Sequence, residues 1–154
     1  MVETNNQISS PGTVLALDLG QKLVGAAVSD EMLITINRLD PIKRSNWKQL
    51  LRDVTNLIQR FDAQTLVIGL PLSLDGTTGT AAESTRHIAT NFARSLEVPV
   101  YLQDERLTSL EARESLSSQG FKAGEIPALI DSEAAAVILR DFLNSKEERI
   151  LVSA

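Results

Sequence analysis

At 154 residues and 16.8 kDa the chain has the length of one ordinary domain. With 43% hydrophobic and 23% charged residues it has a globular composition, which excludes a disordered tail, a collagen-like repeat and a membrane-embedded protein. A net charge of −5 and a pI of about 4.9 exclude indiscriminate clinging to nucleic acid, since Lys and Arg must neutralise phosphates.

Residues 1–12 are polar and aperiodic and read as a flexible leader, with neither the basic start nor the apolar stretch of a secretory signal. Apolar runs such as Ala134 to Leu139 fall well short of the roughly 18 residues a membrane span needs, so a cytoplasmic location is expected. The absence of cysteine removes disulfides, thiol nucleophiles and Cys-based zinc sites together.

Val14–Leu19 predicts a buried strand, Gly20-Gln21-Lys22 a turn, and Leu23–Ser29 a returning strand, which together make a β-hairpin. A third strand is expected from about Leu33 to Leu39, ending before Pro41, and the small residues Gly25, Ala26 and Ala27 let something pack closely on the second strand. Trp47, Leu50, Leu51, Val54, Leu57, Ile58 and Phe61 then recur at helical spacing, with Ser45 or Asn46 as N-cap; Trp47 and Phe61 are therefore core residues. Thr65–Leu70 reads as a core strand closed by Pro71, followed by a Gly/Thr-rich loop. Thr80-x-x-Glu83 has the capping-box pattern and opens a helix with the buried stripe Ala81, Thr85, Ile88, Ala89, Phe92 and Leu96.

Val98–Leu102 is a further strand. Thr108-x-x-Glu111 opens a helix that stops at Gly120, and a last helix covers about Pro127 to Asn144 before a charged tail, 145–154. The order β-β-β-α-β-α-β-α-α predicts an α/β fold with a mixed five-stranded sheet and helices on both faces, in a single domain over 13–144.

Three acidic positions are unusual for solvated charges. Asp18 ends an apolar strand, where α/β sheets present ligand sites, although a turn-capping Asp before Gly20 would look the same. Asp104-Glu105 follows the Val98–Leu102 strand, in a segment that by itself reads first as a polar strand-to-helix loop whose Thr108 and Glu111 cap. Asp131 shares a helix face with Ala134, Ala135, Ile138 and Phe142; a helix beginning near Asp131 would instead make it an N-terminal carboxylate favoured by the dipole. A lone buried carboxylate costs several kcal/mol unless it is paired or bound to metal. Were the last helix to lie beside the first strand, the three would meet in a cluster that needs cations, and hard oxygen donors suit Mg²⁺ or Mn²⁺. Two such ions can clamp a phosphodiester. His87, the only histidine, lies within a predicted helix and supports no Ser-His-Asp catalysis, and the glycines at 76 and 79 lack the Lys-Ser/Thr of a P-loop.

The stretch from Leu17 to Asp30 resembles the opening motif of the YqgF (RuvX) family of Holliday junction resolvases and pre-16S rRNA nucleases. Val67–Leu72 with Asp75-Gly76-Thr77, Asp104–Thr108 and Ile130–Leu139 resemble its later motifs, in order, so the likeness runs from about Val14 to Leu143. The resemblance implies an RNase H-like fold and metal-dependent hydrolysis of phosphodiester bonds. Asp18, Glu105 and Asp131 would be the metal-binding and catalytic carboxylates, with Asp18 bridging two ions and Asp104 as their neighbour. Lys22 would contact substrate, Arg106 would hold the loop or contact phosphate, Gly69 and Pro71 would shape the cleft, and Asp75 would be a turn or cleft residue.

Where the family usually carries basic residues this chain has Leu23 and the pair Ala128-Leu129, a loss that Lys43, Arg44, Lys48 and Arg52 could offset. The expected function is processing of the 5′ end of pre-16S rRNA. The alternatives are resolution of four-way DNA junctions, which calls for a symmetric dimer, and a non-catalytic nucleic-acid-binding role in ribosome biogenesis. The chain is expected to be a monomer or a homodimer.

Overall fold

Alternation in the first strand, β1 (Thr13–Leu19), sends Leu15 and Leu17 to one face of the sheet and Val14 and Ala16 to the other, where they seed two separate cores. In this computed structural model residues 12–72, 79–105, 108–144 and 149–154 are described, without the side chains of 108–111, 113, 127 and 128. β2 (Leu23–Ser29) returns antiparallel, with Asp18 opposite Gly25. β3 (Ile36–Lys43) pairs antiparallel on its far side. β4 (Ala63–Leu70) lies parallel to β1, β5 (Val100–Asp104) parallel to β4, and β6 (Ile150–Leu151) antiparallel to β5. The sheet order is β3-β2-β1-β4-β5-β6. Because β1, β4 and β5 run the same way, their C-terminal ends share one edge of the sheet.

Helices α1 (Trp47–Phe61) and α2 (Thr80–Ser95) cover the Leu15/Leu17 face, where Trp47 meets Phe92 edge-on with ring centroids 4.8 Å apart. Helix α4 (Ile126–Asn144) covers the opposite face, and α3 (Thr108–Ser118) packs on its outer side. Sandwiched in this way, α4 is buried without a break from Ser132 to Leu139. Gly120, at φ 95°, ends α3: Phe121 N donates to Leu116 O (3.1 Å) and Gly120 N to Ser117 O (3.1 Å), the two bonds of a Schellman motif. No helix among the described residues is long and apolar enough to cross a membrane.

The predicted mixed sheet is present, with four differences of local origin. β3 begins later than expected because Asp30 Oδ1 accepts from the amides of Ile34 (2.6 Å) and Thr35 (2.7 Å), which holds 30–35 as a turn with Leu33 at φ 60°. It also runs through Pro41: as the edge strand it can spare a donor there, and the register jumps from Leu39↔Ala26 to Ile42↔Val24, a bulge that takes up Asp40 and Pro41. A sixth strand, β6, lies within the segment expected to be only a tail; Arg149 just before it donates to Phe142 O at 3.3 Å and sits 4.4 Å from the Phe142 ring. Finally, Gly79 and not Thr80 is the N-cap of α2, so the capping box does not form there, and Ala82 replaces Ala81 in the buried stripe.

Asn46 is the N-cap of α1, its side chain accepting from Gln49 N at 2.9 Å. Asn46→Ala is expected to cost about 1 kcal/mol, lowering the melting midpoint by roughly 2–4 °C in a thermal denaturation series.

Candidate functional site

The shared strand edge becomes a site because α4 approaches it unusually closely. A β-carbon on Gly25 would lie 1.8 Å from Asp131 O and 2.9 Å from Ser132 N, so only glycine lets the α4 backbone rest on β2. Ser132 fixes the contact: its hydroxyl donates to Leu39 O at 2.6 Å and accepts from Ala26 N at 3.5 Å. Asp131, one residue earlier, is thereby held over the end of β1. It is in the second turn of a helix that starts at Ile126, which removes the reading of a carboxylate at a helix N-terminus.

Asp18 follows Val14 and Ala16 on the α4 face of β1. Glu105 leaves the end of β5, its amide donating to Leu70 O at 3.0 Å, and its side chain turns back over Gly69. A β-carbon at Gly69 would stand 2.7 Å from Glu105 Oε2 and 2.4 Å from Ile138 Cδ1, so the missing side chain is the space the carboxyl occupies. Asp18 and Glu105 share a hydrogen bond, and Asp131 is close enough to Asp18 to act on its charge. Gly20, after Asp18, has its β-carbon position 3.6 Å from Asp131 Oδ1. The three carboxylates read from the sequence are therefore neighbours, with Asp18 in the middle. Among the described residues no three acidic side chains are grouped tightly enough to close on one metal ion as they stand.

The protonation of this cluster follows from its surroundings. Burial, the Asp18 charge and the shared hydrogen bond push the Glu105 carboxyl up to about 9, with Asp104 adding to the repulsion. Burial also raises Asp18, against the hydrogen bond that Glu105 donates, and Asp131 raises it further. Asp131 itself is raised by burial. Glu105 thus holds a proton in the folded, metal-free chain that the unfolded chain gives up near 4.5, and stability falls as pH rises between those values. Glu105→Gln is expected to leave melting below pH 4.5 unchanged in EDTA and to stabilise the metal-free protein at pH 8. The gain is about 1–3 kcal/mol, after allowance for the part of the charge that solvent screens. Thermal melts across that pH range check it.

Beside Glu105 opens a cleft of about 530 Å³, bordered by Gly20, Gln21, Arg44, Pro71, Ser84 and Glu105. Arg44 Nη1 donates to Gly20 O at 2.7 Å, so its guanidinium braces the turn after Asp18 while facing the cleft. Lys22 is exposed on that turn, its carbonyl accepting from Arg44 N at 2.9 Å, and exposed Lys43 pairs with Leu23. Lys48 and Arg52 lie with Trp47 along a separate hollow on α1. Arg106 and Asp75 are outside the described residues. The sequence reading missed the contribution of α2, whose Ala81, Ser84, Thr85 and Ile88 wall the cleft. Ala81, Thr85 and Ile88 had the spacing of a core stripe, and the polar Ser84 beside them was the available sign of an open face.

The model of the RuvX family, described as Holliday junction resolvase, matches residues 12–145. A protein of Anaeromyxobacter sp. (strain Fw109-5) named "Putative pre-16S rRNA nuclease" is 39% identical over 132 residues, 86% of this chain and 96% of its own. A protein of the same name from Synechococcus elongatus is 35% identical over 134 residues, 87% of this chain and 90% of its own. Among solved structures, T. thermophilus RuvC in complex with Holliday junction substrate superposes with a TM-score of 0.57 at 15% identity, covering 91% of this chain and 99% of that one. The fowlpox virus resolvase in complex with Holliday junction DNA gives 0.51 at 13% identity, covering 85% and 96%. These two likenesses establish the RNase H-like fold of the resolvases. On a family match spanning nearly its whole length, the chain belongs to the RuvX Holliday junction resolvase family.

Proposed function

We propose that the chain is a divalent-metal-dependent nuclease that trims precursor 16S rRNA, with Asp18, Glu105 and Asp131 as its metal-binding and catalytic carboxylates. Membership in a nuclease family makes it a hydrolase acting on ester bonds. The observation that carries the reading is the meeting of three carboxylates from β1, β5 and α4 at one strand edge, at protonation levels that make the metal-free cluster unfavourable when ionised. Such a donor set fits a hard divalent cation and not zinc, because it offers only oxygen. When bound, Mg²⁺ or Mn²⁺, singly or as a pair, supplies an acidified water and charge stabilisation for the leaving oxygen.

The chain's own residues do the rest. Asp18, adjacent to both other carboxylates, would be the central ligand, with Glu105 and Asp131 on its flanks. Glu105 must release its proton for the site to load, so metal affinity rises with pH. Arg44 keeps the Gly20 turn in place and presents positive charge to a phosphate in the cleft. Lys22, Lys43 and Arg106 extend that attraction along the substrate. A nuclease that acts on precursor rRNA would act in the cytoplasm.

The relatives' shared name favours RNA. The family description favours a second reading, resolution of four-way DNA junctions by a symmetric dimer. Incubation with Mg²⁺ or Mn²⁺ of a 5′-extended 16S precursor fragment beside a four-way DNA junction separates them. Cleavage of the RNA by a monomer supports the first reading, and paired symmetric cuts in the junction by a dimer support the second. Binding of either substrate without cleavage would favour a non-catalytic factor.

A further inference from the structure

A second recess lies away from the carboxylate cluster, between the edge strand β3 and the C-terminal half of α4, with a volume of about 550 Å³. Its polar wall is basic, in a chain whose net charge is −5. Arg38, on the α4 face of β3, stacks over Phe121 with 5.1 Å from guanidinium to ring centroid. Its Nη1 is buried, has no hydrogen-bond partner among the described residues and makes only a long ion pair with Glu133. The nearest carboxylate oxygen, Glu133 Oε2, is 3.9 Å away, beyond hydrogen-bond range.

That oxygen is already engaged, accepting from Ser115 Oγ at 3.2 Å and Gln119 Nε2 at 3.0 Å. Arg140, two turns further along α4, is exposed and has no ion pair among the described residues. Asn37 and Asn144 add amide groups at the rim.

We propose that this recess binds a phosphate group. Two guanidinium groups face it against one carboxylate, so the local balance is one positive charge. Arginine's planar set of donors matches phosphate oxygens, and the Arg38 guanidinium, held on the Phe121 ring while its side chain stays 28% exposed, is preorganised for an acceptor. Leu33 and Ile34 (77% exposed) form an apolar side suited to a sugar or base attached to the phosphate. The phosphate belongs to a nucleic-acid strand or to a free nucleotide. The strand source rests on the nucleic-acid reading above, whereas the phosphate chemistry does not.

The test uses the full chain in EDTA, where nothing is cleaved, with two probes: a labelled single-stranded RNA oligonucleotide and pyrophosphate. Arg140→Glu is compared with Arg60→Glu, which makes the same charge change on exposed α1. One lost phosphate contact on a single strand corresponds to a salt slope smaller by about 0.7 and to roughly fivefold weaker binding near 0.1 M salt. Such a loss of RNA affinity in Arg140→Glu, beyond that in Arg60→Glu, identifies a strand. The same loss confined to pyrophosphate identifies a free phosphate ligand. Equal behaviour of the two variants toward both probes overturns the proposal. Both probes are read as binding in EDTA and not as cleavage, so failure here is distinct from failure of the cleavage reading.

Discussion

Asp18→Asn is expected to reduce metal-dependent cleavage on the order of 10³-fold or more while the protein stays folded. Of the three carboxylates Asp18 is the one next to both others, hydrogen-bonded to Glu105 and acted on by Asp131, so its loss removes the carboxylate shared by both flanks of the proposed site. Charge stabilisation by a bound cation is worth several kcal/mol of barrier, and each 1.36 kcal/mol is a factor of ten. The amide keeps the shape of the side chain and can still pair with Glu105. Removing one of several crowded negative charges also makes the metal-free fold no less stable. Circular dichroism melts in EDTA and a cleavage time course with Mn²⁺ check both halves. Cleavage within tenfold of the wild type would exclude Asp18 from the chemistry.

The second large effect is expected far from any charge. Gly25→Ala places a methyl group 1.8 Å from Asp131 O and 2.2 Å from its carbonyl carbon, both backbone atoms of α4. Neither can rotate away, so the helix must lift from β2 and take with it the Ser132 hydrogen bond to Leu39. Overpacking against backbone costs about 2–4 kcal/mol, a fall of roughly 5–15 °C in the melting midpoint for a chain of this length. Because the displaced turn carries Asp131, Mn²⁺ affinity falls as well, which calorimetry reads directly. Gly124→Ala is the matching control: its β-carbon meets nothing within 4 Å, and the expected change is within about 0.5 kcal/mol. Equal stability of the two variants would mean that α4 does not depend on the Gly25 contact.

These two positions also show what the sequence could and could not disclose. Asp18 stood out because it interrupts an otherwise apolar strand, and Gly25-Ala26-Ala27 announced a close neighbour without saying which element it was. The boundaries of β2, the Asn46 cap and the Gly120 stop are local matters of period and turn chemistry, and they were legible for that reason. Edge β3 was misjudged at both ends, since the Asp30 side chain sets where it begins and its outer position lets Pro41 stay within it. β6 was invisible because two residues carry no period, and their pairing depends on β5, far away in the chain.

The site was half legible. Each carboxylate could be singled out along the chain, yet the protonation of Glu105 depends on burial and on Asp18, which only the folded arrangement supplies. The α2 wall of the cleft was hidden by its likeness to a core stripe, a reminder that helical spacing identifies a face and not what that face meets. The empty space over Gly69, where the Glu105 carboxyl rests, has no sequence signal beyond the glycine itself.

Anomalous diffraction from crystals soaked in Mn²⁺ tests most directly whether Asp18, Glu105 and Asp131 together hold a divalent ion. The expected map has a Mn²⁺ peak at the end of β1, within ligating distance of the Asp18 carboxylate and flanked by Glu105 and Asp131. A saturating soak that leaves this strand edge without a peak, or places the ion where none of the three can reach it, would contradict the metal-dependent mechanism.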